Sequence, residues 1–75
     1  MEELLKLLIE NIIENPDKLK IEKEEQGGEV TFNINADDSD KGKIIGKGGG
    51  NIKALRTILS IIARKEDKRV YLNVE

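Results

Sequence analysis

The stretch GKIIGKGGGNIKALR, Gly42 to Arg56, decides how the rest of the chain is read. Between positions 46 and 50 only Lys47 is not glycine, and apolar residues at helical spacing flank the run on both sides. A helix-ending turn needs positive φ at one residue or two, which glycine adopts without steric strain. Four glycines cost more folding entropy than a turn requires, so the loop serves something besides turning. Gly42-x-x-x-Gly46-Lys47 comes near a mononucleotide phosphate loop. Its glycine spacing is one residue short, however, Gly48 stands where a hydroxyl would bind magnesium, and no strand precedes it. A dinucleotide fingerprint fails as well, because the loop lies between two helices and the chain has no room for a second mononucleotide half. A sugar-phosphate backbone fits every part. With no Cβ in the way it approaches main-chain amides closely, and the second helix points its positive N-terminal end at the same phosphates. Lys47 adds charge. Beside the loop, Ile44, Ile45 and Ile52 are placed to floor an apolar groove for unstacked bases, with a strand edge as the opposite wall.

Upstream of the loop, Asp37, Asp38, Ser39 and Asp40 mark a helix start, where they cap orphan amides and their charge suits the dipole. Before them, Leu19 and Ile21, then Val30, Phe32 and Ile34, alternate with polar residues on either side of Gly27-Gly28. That pattern predicts two strands in a hairpin, one face buried and the other wet. From Glu2 to about Asn15, Leu4, Leu5, Leu8, Ile9, Ile12 and Ile13 recur at spacings of three and four, an amphipathic helix that Pro16 stops. Downstream, a helix from about Asn51 to Arg64 bears Ile52, Leu55, Leu59 and Ile62 on one stripe, and Val70, Leu72 and Val74 alternate in a closing strand. The order α-β-β-α-α-β predicts an α+β fold with a three-stranded mixed sheet. Its hairpin is antiparallel, its last strand returns parallel by a right-handed helical crossover, and three helices cover one face.

The residues IIGKGGGNIKALR also resemble the KH-domain signature, apolar-Ile-Gly-x-x-Gly-x-x-Ile. Gly46-Lys47-Gly48-Gly49 stands as its GxxG loop and Ile52 as the groove residue that follows. With the element order, NPD after the first helix, GKIIGK, ALRT and a closing KR-V strand, the chain is similar over essentially its whole length to the type II, prokaryotic KH domain of small bacterial RNA-binding proteins. The resemblance implies one KH domain over residues 1–75 that clamps about four nucleotides of single-stranded RNA. It also implies self-association, or pairing with a larger KH-containing protein. Family members tend to carry arginine just after the loop. Here Gly50 and Asn51 follow, which is expected to remove a phosphate contact and loosen the helix start.

Composition sets the limits of this reading. A chain of 75 residues is read as one domain, near the lower size at which an apolar core suffices. With neither cysteine nor histidine, thiolate metal sites, disulfides and the commonest general base are absent, so no metal, no cofactor and no catalysis are expected. No apolar run approaches the roughly 20 residues of a membrane span, and the amino terminus is acidic where a secretory signal is basic; a cytoplasmic location is expected. Net charge is −2, but it is unevenly spread: residues 1–40 hold 12 acidic and 4 basic side chains, whereas residues 41–65 hold 7 basic and none acidic. A local positive field therefore surrounds the glycines on a weakly acidic molecule.

The candidate RNA-binding residues are Gly46, Lys47, Gly48 and Gly49 in the loop, with Lys43, Lys53 and Arg56 as further phosphate partners and Ile45 and Ile52 serving core and groove at once. Arg64 and Lys65 read as cations complementing a helix C-terminus. Phe32 has core parity and Tyr71 the parity of the wet face. On the long helix, Ala54, Ile58 and Ile61 widen the apolar arc to roughly 200°, against the ~100° of an ordinary core face. That surplus predicts a dimer interface there; the competing reading is that the amino-terminal helix covers it. The rival functional class is a KH-fold scaffold, natural, consensus or designed, that acts through protein–protein dimerisation with residual RNA binding.

Overall fold

The computed structural model describes residues 1–75. The helices are α1 (Glu2–Glu10), α2 (Asp38–Ile45) and α3 (Gly50–Lys65), and the strands β1 (Lys20–Gln26), β2 (Glu29–Asn35) and β3 (Arg69–Val74). They follow in the order α-β-β-α-α-β, with short 3-10 turns at Pro16–Lys18 and Lys47–Gly49. The sheet order is β1-β2-β3, β1 antiparallel to β2 and β2 parallel to β3. This is the α+β arrangement the periodicities predict.

Gly27 and Gly28 both take positive φ, 58° and 82°, and so close the hairpin in two residues. That tight turn fixes the register, with Gln26 opposite Glu29 and Ile21 opposite Ile34. Register in turn fixes parity. Val30, Phe32 and Ile34 on the central strand are fully buried under the helices, each withdrawing roughly 1.5–3 kcal/mol of apolar side chain from water. The opposite face is polar: Asn73 donates to Asn33 at 3.2 Å and the Tyr71 hydroxyl donates to Glu29 at 3.3 Å. Leu5 and Ile9 of α1, Ile44 of α2, and Leu55, Leu59 and Ala63 of α3 complete one core. The edge strand β1 is almost wholly exposed and carries two Lys and three Glu among its seven residues, a composition that discourages edge pairing.

One boundary and one capping role differ from the sequence reading. The first helix ends at Glu10 rather than near Asn15. Asn11 turns its side-chain amide back onto the Leu7 carbonyl at 2.7 Å, and the backbone N–H groups of Glu14 and Asn15 are taken up by the Asp40 carboxylate at 3.0 and 2.9 Å. Those contacts satisfy the chain outside a helix, so Ile12 and Ile13 extend the apolar pattern without extending the element. Asp40 accordingly does not cap its own helix. It is fully buried and ties α2 to the α1–β1 connection, while Asp37 alone caps α2 by accepting the Ser39 N–H at 2.9 Å.

Candidate functional site

The candidate site is the junction of α2 and α3. Helix α2 stops at Ile45 because Gly46 takes φ 76° and ψ 168°, a region only glycine occupies readily. A second reason is steric: a Cβ on Gly46 would lie 2.8 Å from both the Asn51 amide nitrogen and its side-chain Cγ. Gly48 (φ 63°) and Gly49 (φ 77°) are both left-handed, and the Gly49 N–H returns to the Gly46 carbonyl at 3.1 Å. Nothing lies within 4 Å of a Cβ built on Gly48. The two left-handed glycines thus shape an open turn without being packed against anything. Gly48 and Lys47 are exposed, and Gly46 and Gly49 half-exposed.

From Gly50 the chain enters the 16-residue helix α3. No side chain caps its N-terminus and no acidic residue occupies its first turn. The first N–H groups of a helix lack intrahelical acceptors and carry a partial positive charge, so this end faces the loop with its charge unanswered. Lys47 and Lys53 are exposed and belong to none of the ion pairs in the structure. Lys43 differs. Its ammonium lies 2.9 Å from Glu14 and 3.8 Å from Asp40, and the hydrogen bond it donates to the Glu14 carboxylate raises it above the ordinary lysine value. Lys43 thus stands at the site already engaged by two carboxylates. Arg56 is exposed, has no ion pair, and lines a cleft between α3 and β3.

The apolar candidates separate as well. Ile44 is sealed in the core, whereas Ile45 is 39% exposed and Ile52 is half-buried against the core, so Ile45 and Ile52 keep apolar surface exposed beside the loop. Sequence reasoning missed Asn51. Its side-chain amide donates to the Lys43 carbonyl at 2.7 Å, tying the first turn of α3 to the last turn of α2 across the glycines. An Asn at a helix start is ordinary, and nothing in its local spacing signals that bond.

With this geometry in place, the comparisons decide the lineage. The family model described as "KhpA/KhpB, KH domain" matches residues 2–74. The chain belongs to the KhpA/KhpB KH-domain family. Among its relatives, an "RNA-binding protein KhpA" of Aquifex aeolicus is 35% identical over 74 residues, covering 99% of this chain and 94% of the relative. Proteins of the same name from Chlamydia pneumoniae and Listeria monocytogenes are 34% and 31% identical, again over 99% of this chain. The KhpA resemblance is therefore end to end, and the GxxG positions of the signature fall on the exposed loop at residues 46–49. No helix is long and apolar enough to cross a membrane.

Proposed function

We propose that this chain binds single-stranded RNA, with the Gly46–Gly49 loop clamping the phosphate backbone. The observation that carries the reading is the uncapped, acid-free N-terminus of α3 opening onto exposed glycines. Main-chain amides and the helix dipole hold one or two phosphates, Lys47 and Lys53 add charge, and Arg56 adds a planar fork. Ile45 and Ile52 take the apolar faces of unstacked bases. Few side chains are placed to read base edges, so sequence preference is low and binding weakens as salt rises. No step of chemistry is assigned to the chain.

The test is the double variant Gly48→Asp, Gly49→Asp. Both positions are near the left-handed region that Asp tolerates better than most residues, and neither Cβ meets a neighbour closer than 3.9 Å. The variant is expected to keep its circular dichroism and to lose at least roughly tenfold in RNA affinity through charge repulsion at the clamp. Undiminished binding sinks the clamp.

A second reading concerns assembly. Ile58 and Ile61 are 40% and 55% exposed on α3, so α1 leaves that flank uncovered. With Ala54 it forms the surface we assign to self-association or to pairing with a larger KH-containing protein. Ile61→Asp should lower the sedimenting mass at high concentration; an unchanged mass argues for a monomer. A KH scaffold acting mainly through this flank would show dimerisation with RNA binding that vanishes at physiological salt. A cytoplasmic location accompanies the RNA-binding reading.

A further inference from the structure

The two sides of the glycine loop hold their lysines differently. Lys47 and Lys53, after Gly46, belong to no ion pair. Both lysines of α2 are answered: Lys41 lies 3.0 Å from Asp38 and Lys43 lies 2.9 Å from Glu14. Of these two, Lys43 stands at the loop, since its carbonyl accepts the Asn51 side-chain amide at 2.7 Å beside the open first turn of α3. Glu14 comes from elsewhere in the fold. It lies on the connection after α1, where its own N–H donates to the Asp40 carboxylate at 3.0 Å, a contact spanning 26 residues of sequence. That bond fixes the chain at Glu14 against α2 and brings its carboxylate within reach of Lys43.

Nothing buried depends on the pair. Asp40 is satisfied by the Glu14 N–H, the Asn15 N–H and the Asn15 side-chain amide at 3.0, 2.9 and 3.2 Å, with the Lys43 ammonium further off at 3.8 Å. The Glu14 side chain is 77% exposed and has Lys43 as its only ion-pair partner. A pair this open adds little to stability, and the flexible four-carbon stem of lysine lets the ammonium swing without moving the helix. A carboxylate and a phosphate oxygen accept the same charge-assisted hydrogen bond from it. The Glu14 carboxylate therefore occupies, on Lys43, the place that an RNA phosphate would take.

We propose that Glu14 is an internal competitor of the RNA backbone, holding the Lys43 ammonium in the free protein and yielding it to a phosphate when the strand is gripped at the loop. This rests on the reading of the glycine loop as an RNA clamp. It adds a positioning residue, outside the loop, that sets how tightly the clamp binds. The observed affinity is the intrinsic one scaled by the fraction of molecules in which Lys43 is free. For so exposed a pair the reduction is about twofold to fivefold. Lys47 and Lys53 contribute with no such loss.

The experiment is a double-mutant cycle on the whole chain. A labelled oligouridylate of eight nucleotides is titrated by fluorescence anisotropy at several salt concentrations with the parent, Glu14→Gln, Lys43→Gln, the two substitutions combined, and Gly48→Asp with Gly49→Asp. Glutamine keeps the backbone donor to Asp40, and thermal unfolding checks each fold. Glu14→Gln should bind RNA about twofold to fivefold more tightly than the parent, with a log–log salt slope steeper by up to about 0.7, one phosphate contact. In the Lys43→Gln background the same substitution should change affinity by less than about 1.5-fold, because no ammonium is left to release.

An equal gain in both backgrounds overturns the proposal, since Glu14 then repels RNA merely as a nearby charge. A loss of affinity in Glu14→Gln overturns it as well, because the carboxylate then holds Lys43 in place for RNA. No gain, with binding lost in the glycine variant, overturns it and leaves the clamp intact. A gain that requires Lys43, in a protein whose glycine variant binds undiminished, supports the competitor and sinks the clamp, for the phosphate then reaches Lys43 by another path.

Discussion

Helices α2 and α3 begin twelve residues apart, and the two N-termini meet the same electrostatic problem in opposite ways. At α2, the Asp37 carboxylate accepts the Ser39 N–H at 2.9 Å and its hydroxyl at 2.7 Å, and receives Lys18 at 3.2 Å. The Ser39 hydroxyl is the main cause that holds Asp37 down to about 2. Asp38 and Asp40 add negative charge in the first turn. At α3 the cap is Gly49, no side chain reaches the amides and no acid follows. One positive helix end is answered from within the fold, the other is left to solvent. The residue types at a helix start therefore tell whether its dipole is spent on stability or offered to an anion.

The largest expected effect comes from breaking the loop that separates the two ends. Gly46→Ala forces a Cβ to within 2.8 Å of the Asn51 amide nitrogen, at a φ of 76° that alanine adopts only with strain. Strain and overlap together should cost about 3 kcal/mol or more, a Tm loss of roughly 15 °C in a domain this small. Thermal unfolding by circular dichroism measures it, and a loss below about 1 kcal/mol would mean that α3 shifts freely against α2.

Breaking the answered end comes next. Asp40→Ala leaves the Glu14 and Asn15 N–H groups without their acceptor, and Tm should fall by roughly 10 °C while RNA affinity stays within about twofold. The same carboxylate makes the fold acid-sensitive. The backbone hydrogen bond from Glu14 is the main cause that lowers Asp40 below its ordinary 3.8 in the folded chain, and Asp37 is lowered likewise. The depressed folded values mean that both contributions are complete above the unfolded value and fade as pH falls through the folded one. Tm should therefore hold above about pH 5 and drop between roughly pH 4 and 2, with a shallower drop in Asp40→Asn. An equally steep drop in that variant places the acid sensitivity elsewhere.

These two ends were not equally legible in the sequence. The hairpin, the crossover and the parity of Val30, Phe32 and Ile34 follow from local periodicity, because a two-residue glycine turn and alternation leave one register. The loop was legible for the same reason, since glycine density and helical flanks are local. What was hidden is long-range. Asp40 lies in a run that reads as an N-cap cluster, yet it serves amides 25 and 26 residues away. Lys43 reads as a free cation and is paired with Glu14 across that same contact. Arg64 and Arg69 belong to different elements, and only the turn at Asp67 brings them into one cleft.

Supplying the missing acid sharpens the comparison. Gly50 is helical, with φ −61° and ψ −42°, and a Cβ there meets nothing within 4 Å. Gly50→Asp should raise stability by roughly 0.5–1 kcal/mol, since any side chain restricts the unfolded chain and a carboxylate suits this helix end. It should at the same time weaken RNA binding about threefold to tenfold. Gly50→Arg should raise stability by propensity alone and strengthen binding. If both substitutions move RNA affinity in the same direction, the open helix end is not where the phosphate sits.

The smallest expected effect is at Asn51, and it separates geometry from stability. Asn51→Ala removes the 2.7 Å bond to the Lys43 carbonyl, an exposed contact that contributes about 0.5–1 kcal/mol. Alanine, however, is the better helix former by a similar several tenths of a kcal/mol, so the two terms nearly cancel and Tm should move by less than about 3 °C. The loop loses its only side-chain tie between α2 and α3 all the same, and a looser clamp must be ordered on binding. RNA affinity is therefore expected to fall about twofold to fivefold at almost unchanged stability. Titration of the variant at low salt, beside Thr57→Ala as a control whose hydroxyl bonds within α3 alone, decides it: equal affinities for the two would show that the loop holds its shape through its glycines without help from Asn51.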